Sequence, residues 1–127
     1  MHASLRGFSA TLVSSLLVGV CVIGHAPSVE AHAVLMSATP AAKSVVSGPD
    51  VSVALRFNSR IDGKRSRLWV VLPDRSVRVL QLAPQEAPEA LSSGASGLTS
   101  GDYRIRWQVL ASDGHITRGE FAFRVSR

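Results

Sequence analysis

Residues 101–110 read Gly101-Asp102-Tyr103-Arg104-Ile105-Arg106-Trp107-Gln108-Val109-Leu110, with an apolar side chain at every second position from Tyr103 to Val109. Successive side chains of a β-strand point to opposite faces of a sheet, so a strand with one buried face shows this period of two. No stretch after residue 31 has a convincing helical period of 3.6. The sequence therefore predicts an all-β domain.

Further strands are predicted on the same grounds. Residues 51–57 and 121–125 alternate in the same way. Another strand pair is expected at residues 68–72 and 77–82, joined by the turn Pro73-Asp74-Arg75-Ser76, since Pro and Asp favour tight turns. Short strands separated by polar turns are typical of a two-sheet sandwich or a Greek-key barrel.

The remaining parts of the strand pattern give two expectations. Residues 83–101 contain two prolines and a cluster of Ser and Gly, so we expect a loop that crosses one end of the sandwich. Trp69 and Trp107 each lie within an alternating apolar strand, so both are expected to fill the core.

The chain begins with the three parts of a signal peptide. Arg6 supplies the positive start, residues 10–23 form an apolar run, and small residues end the segment at Ala31. The run is shorter than the roughly 20 residues that a membrane helix needs. We therefore expect cleavage after Ala31 and export of a single domain, residues 32–127.

Charge and cysteine content bound the function of that domain. The chain has 14 Lys and Arg against 9 Asp and Glu, a net charge of +5. Its one cysteine, Cys21, lies in the predicted signal peptide, which excludes a thiol site afterwards. Lys64, Arg65 and Arg67 are expected in a solvated turn, with a docking patch for an anionic or membrane partner as the alternative. No basic cluster is interleaved with aromatic residues, so no nucleic-acid partner is expected.

Two histidines remain after residue 31, and both suit metal binding. Cleavage would make His32 the first residue, whose α-amine and imidazole Nδ1 chelate one metal in a six-membered ring. Asp113 and His115 are two residues apart, so in an extended segment both side chains point to one side. Three nitrogens and a carboxylate oxygen suit Cu(II) by ligand type and by the Irving–Williams order.

A reading without a metal stays open on spacing alone. A single histidine in a small secreted domain is more often a surface or hydrogen-bonding residue than a ligand. The pair Asp113-Gly114 is by itself most often only a turn.

Four blocks of residues carry a family resemblance: His32-Ala33 with Ser37-Ala38-Thr39-Pro40-Ala41, Val53-Ala54-Leu55-Arg56-Phe57, the run from Leu98 through Ser112-Asp113-Gly114-His115, and Gly119-Glu120-Phe121-Ala122-Phe123-Arg124-Val125. With these blocks, residues 32–127 resemble the CopC family of periplasmic copper-resistance proteins over nearly their whole length. The strand that runs from Tyr103 through Trp107 into Asp-Gly-His is the most specific part.

The resemblance implies both a fold and a site. The fold would be an immunoglobulin-like Greek-key β-sandwich or barrel of about seven strands. One Cu(II) ion would be bound by His32, through both of its nitrogens, together with Asp113 and His115. The protein would be a periplasmic monomer without catalytic residues or a further cofactor, and its partner would be an inner-membrane copper transporter.

The sequence departs from the family pattern at two places. Family members often carry a glutamate soon after the strand that ends at Phe57, whereas this chain has Asn58 and no carboxylate, so ligand support there is in question. Some members hold Cu(I) with a methionine-rich loop, whereas the predicted mature domain has Met36 alone. We expect Met36 to pack in the core of the first strand, and no Cu(I) site.

Two other functions stay as alternatives. A copper-dependent oxygenase also uses an N-terminal histidine brace, and an immunoglobulin-like interaction domain would need no metal. We expect no enzyme, because the predicted domain has no thiol nucleophile and no third histidine.

Overall fold

The computed structural model describes Gly24 and residues 32–127. Apart from Gly24, the predicted signal peptide (residues 1–31) lies outside the described residues and stays a prediction. The described strands are β1 Leu35–Thr39, β2 Val45–Ser47, β3 Val51–Phe57, β4 Arg67–Val71, β5 Val77–Leu80, β6 Ala90–Ala95, β7 Gly101–Leu110 and β8 Ile116–Ser126, with one 3-10 turn at Gly63–Arg65. In this part of the chain no helix is long and apolar enough to cross a membrane.

The strands form two sheets. The first has the order β1-β3-β6 and the second the order β2-β8-β7-β4-β5. Neighbouring strands are antiparallel except β2 and β8, which run parallel. The predicted immunoglobulin-like Greek-key sandwich is confirmed, with eight strands in place of about seven.

The core lies between the inner faces of the two sheets. Every second residue of β3 from Val51 to Phe57 is buried, and the residues between them are exposed. Burial also alternates in β7, where the buried residues are Tyr103, Ile105, Trp107 and Val109. Trp107 packs edge-on against Phe57, with ring centroids 5.2 Å apart, so the predicted core position of Trp107 is confirmed.

The predicted hairpin of β4 and β5 is also confirmed. Both strands end earlier than expected, at Val71 and Leu80. Between them, the backbone N–H of Arg75 donates to the carbonyl oxygen of Leu72 at 2.9 Å. Arg75 then takes a left-handed conformation, with φ of 71°.

The loop expected at residues 83–101 is wrong in part, because β6 lies within it. Strand β6 pairs with β3 in register from Val51 opposite Ala95 to Arg56 opposite Ala90. Apart from Leu91, its side chains are small, so the alternation of apolar residues is too weak to mark a strand. Pairing with a neighbouring strand, which the local sequence does not reveal, decides this element.

Two expectations about the core are wrong. Trp69 lies between Leu68 and Val70, which are fully buried, so strand alternation turns Trp69 to the outer face, where it is half-buried opposite Val79. Met36 belongs to β1 as expected, but its side chain is 64% exposed, at the irregular step in the pairing of β1 with β3.

Candidate metal centre

The N-terminal segment is fixed to the end of β3. Ala33 is only 1% exposed and joins the core. The backbone N–H of Val34 donates to Asn58 Oδ1 at 2.8 Å, and the backbone N–H of Asn58 donates to the carbonyl oxygen of Val34 at 3.0 Å. These contacts place His32 at the end of the sandwich where β3 stops.

The turn between β7 and β8 lies at the same end. The N–H of Ala111 donates to the carbonyl oxygen of His115, and the N–H of Gly114 donates to the carbonyl oxygen of Ala111, both at 2.9 Å. Gly114 has φ of 88°, a conformation that glycine adopts without steric cost. Asp113 Oδ1 accepts the backbone N–H of His115 at 3.0 Å, which fixes the side chain of Asp113 within the turn.

These two segments bring the three predicted ligands together. The imidazole rings of His32 and His115 lie edge to face, with centroids 5.3 Å apart, although 82 residues separate them in the chain. Nδ1 of His115 lies 3.0 Å from Oδ2 of Asp113. The side chains of His115 and Asp113 are 45% and 27% exposed, so the cluster lies at the surface.

The turn also sets the charge of Asp113. The backbone N–H of His115 lowers the pKa of the Asp113 carboxyl below its ordinary value of 3.8, and partial burial opposes this effect. The side chains of His115 and His32 lower the pKa of Asp113 further. Asp113 is therefore a carboxylate at neutral pH, and its oxygens are available to a cation.

The side chains of His32, Asp113 and His115 lie near one another, but they do not converge on a single point. Within residues 32–127, no group of three or more His, Cys, Asp or Glu side chains is arranged as a metal ion requires. Asp113 is instead directed at Nδ1 of His115. A carboxylate in this position holds an imidazole ring in one orientation, as it does for many metal-bound histidines. A rotation of the exposed side chains is therefore needed before all three residues can contact one ion.

Asn58 is a residue of this site that the sequence reasoning did not find. Its position was identified only by the lack of a carboxylate, whereas the structure uses both its side chain and its backbone to hold Val34. A polar amide directly after the last apolar residue of a strand was the available signal, and strand ends are common places for such residues.

Fold and site together define a class: small two-sheet β-sandwich domains with a histidine pair and a carboxylate at one end. Residues 35–126 match the family described as the CopC domain. The chain belongs to the CopC family.

Individual relatives agree with this assignment. Protein YobA of Escherichia coli K12 is 30% identical over 125 residues, which cover 96% of this chain and 94% of that protein. Copper resistance protein C of Escherichia coli is 29% identical over 123 residues, covering 90% of this chain and 97% of the relative. The crystal structure of CopC from Methylosinus trichosporium OB3b superposes with a TM-score of 0.67 at 30% identity, covering 75% of this chain and 94% of that one.

Proposed function

We propose that this protein binds one Cu(II) ion with His32, Asp113 and His115 in the periplasm and passes it to a copper transporter of the inner membrane. The observation that carries the proposal is the approach of His32 to His115 beside the Asp113 carboxylate. Membership of a family with relatives named copper resistance proteins supports copper as the metal.

The donor types favour Cu(II) over other ions. Imidazole nitrogens and a carboxylate suit a tetragonal Cu(II) site, and Cu(II) binds most tightly in the divalent series. The α-amine of His32, released by the predicted cleavage, would be the third nitrogen. Cu(I) prefers sulfur ligands, and the three proposed residues offer only nitrogen and oxygen donors.

The position of the cluster fits a carrier. A metal held by half-exposed side chains is within reach of an acceptor protein, whereas an enzyme also needs a place for its substrate beside the metal. The oxygenase alternative is tested by oxygen consumption with ascorbate. A carrier consumes oxygen no faster than free Cu(II) at the same concentration, and catalytic consumption would contradict the proposal.

Electron paramagnetic resonance with one equivalent of Cu(II) tests the ligand set, in protein that begins at His32. We expect a tetragonal signal with several nitrogen ligands, and His115→Ala should lose one of them. Asp113→Asn should alter the spectrum more weakly. Asp74→Asn is the matched control, because Asp74 also accepts a backbone N–H two residues further on but lies in the β4–β5 turn. An unchanged spectrum in His115→Ala would contradict the site.

The contribution of the amine is tested separately. One added glycine before His32 turns the amine into an amide and removes one metal–nitrogen bond, so copper affinity should fall by about a hundredfold or more, since deprotonated donors set metal affinity. Isothermal titration with a competing chelator measures the change. Equal affinity for the extended and the native protein would remove the amine from the site.

A further inference from the structure

A groove of about 630 Å³ lies at the end of the sandwich away from the histidines. It is bordered by the turn at residues 41–44, by the β4–β5 turn at residues 72–76, and by the start of β7. Since β7 runs from Gly101 at the groove to Leu110 beside the histidine turn, its ten residues separate the two places by about 30 Å. The groove is therefore independent of the proposed copper site.

The groove lining carries a net positive charge. Its lining contains the cations Lys43, Arg75, Arg104 and Arg124 and a single carboxylate, Asp102. Two of these cations are already paired: Arg124 Nε donates to Oδ1 of Asp102 at 2.8 Å, and Arg104 donates to Oε1 of Glu120. In residues 32–127 neither Lys43 nor Arg75 forms an ion pair. Two cations on opposite rims of the groove are thus left for an external anion.

The backbone at these two cations is unusual. Lys43 and Arg75, with φ of 64° and 71°, are the two residues other than glycine with positive φ in the described chain. Glycine and asparagine adopt this conformation more readily, and a turn position with positive φ usually carries one of these two residues. A long cationic side chain stands at both positions despite that preference, which points to a role for the charge.

The groove is also partly apolar. Val45 on one side is 61% exposed, and Val71 and Pro73 contribute to the lining. An occupant that suits both features has carboxylates for the rims and apolar side chains between them. An extended peptide segment fills such a trough, whereas a flat bilayer contacts only its rims.

We propose that this groove docks an extended acidic segment of a partner protein, with carboxylates paired to Lys43 and Arg75. Docking here leaves the histidine end of the sandwich accessible. The proposal rests on the groove and its charges, and it holds whether or not copper is bound at His32.

The test uses a fluorescein-labelled ten-residue peptide with Glu residues at both ends and Val and Ser residues between them, and the control is the same peptide with Gln in place of Glu. Fluorescence anisotropy at low salt should show binding of the acidic peptide only. The double variant Lys43→Gln/Arg75→Gln should bind about tenfold more weakly, because an exposed ion pair contributes a factor of roughly 1.4 to 5. Added salt should weaken binding by the parent more than binding by the variant.

Lys64→Gln/Arg65→Gln is the matched control variant, because it removes two exposed charges outside the groove lining. It should bind the acidic peptide like the parent. Equal weakening by both double variants would show a general charge effect and overturn the proposal, as would equal binding of the Gln peptide. Sedimentation with phosphatidylglycerol vesicles gives the remaining outcome: groove-dependent vesicle binding without peptide binding would assign the groove to a membrane and overturn the proposal.

Discussion

At the scale of single residues, the two hydrogen bonds of Asn58 fix the direction in which the N-terminal segment leaves the sandwich. Asn58 contacts Val34, two residues after His32, and so acts on the proposed ligand through the backbone. Groups that orient metal ligands without touching the metal commonly change affinity by about 10–100-fold. An amide, and no carboxylate, therefore orients the segment that carries His32.

Replacing Asn58 with Ala removes the acceptor for the N–H of Val34. We expect Cu(II) affinity to fall by about tenfold, measured by competition with a chelator. Asn58→Asp keeps an oxygen acceptor at the same place and should bind copper at least as tightly as the parent. If the Ala variant binds copper like the parent, Asn58 has no positioning role.

At the scale of elements, the β7–β8 hairpin depends on the absence of a side chain at Gly119. Trp107 and Gly119 are opposite each other in the register. A Cβ at Gly119 would lie 2.6 Å from Cε2 of Trp107, far inside van der Waals contact. The indole therefore occupies the space over Gly119, between β8 and the Phe57 ring.

Gly119→Ala should destabilise the protein by about 1–3 kcal/mol, because the indole or the strand must move. Gly94→Ala in β6 is the matched control, since its nearest atom would be 4.0 Å away and the new methyl group meets no obstacle. Urea unfolding followed by fluorescence measures both. Equal stability of Gly119→Ala and the parent would show that the indole moves at little cost.

The β4–β5 turn contains a carboxylate whose charge stabilises the fold. Hydrogen bonds from the Ser76 hydroxyl and then from its backbone N–H lower the pKa of Asp74 below its ordinary value of 3.8. A lowered pKa in the folded state means that the contribution is present above pH 3.8 and is lost as the pH falls through the lower value.

Asp74→Asn should therefore lower the Tm slightly at pH 7, and the difference from the parent should be smaller at pH 2. Differential scanning calorimetry at both pH values measures it. A difference that grows as the pH falls would contradict the assigned direction of the pKa shift.

Most elements could be predicted because alternation is a local property of the sequence. Strands β3 and β7 carry large apolar residues at every second position, so their burial follows from the sequence alone. Strand β6 lacks this alternation, and its extended conformation depends on pairing with β3. Trp69 was misplaced because hydrophobicity was given more weight than its register between Leu68 and Val70.

The site shows the same division. Asp113 and His115 are neighbours in the sequence, and the predicted cleavage singled out His32. The proximity of His32 to His115 follows only from the fold, which places the ends of β3 and β7 side by side. The pairing of Asp113 with His115, and the role of Asn58, depend on side-chain geometry that no spacing reveals.

At the scale of the whole molecule, a shared copper ion would connect the first residues of the domain to the β7–β8 turn. Binding to the folded state alone adds about 2.7 kcal/mol of stability when free copper is one hundred times the Kd. For a domain of this size the Tm should rise by about 10 °C or more.

Thermal unfolding with and without Cu(II) measures this rise. It should be much smaller in His115→Ala, whose metal-free Tm should stay close to that of the parent because His115 is exposed in a turn. A chelator should return the parent to its metal-free Tm. An equal rise in both proteins would place the copper elsewhere.

The two hydrogen bonds between Val34 and Asn58 have a consequence for how a metal bound by His32 would leave. Residues 32–34 precede β1 and are held by the burial of Ala33 and by two hydrogen bonds between Val34 and Asn58, so we expect this short segment to open locally at a lower free energy than global unfolding. If His32 binds copper as proposed, such an opening would release this ligand while the two sheets stay paired. The amide of Val34 should exchange with deuterium sooner than the amides of β7, and bound copper should slow this exchange, so the exchange rate of one amide would report how often the proposed ligand His32 is released.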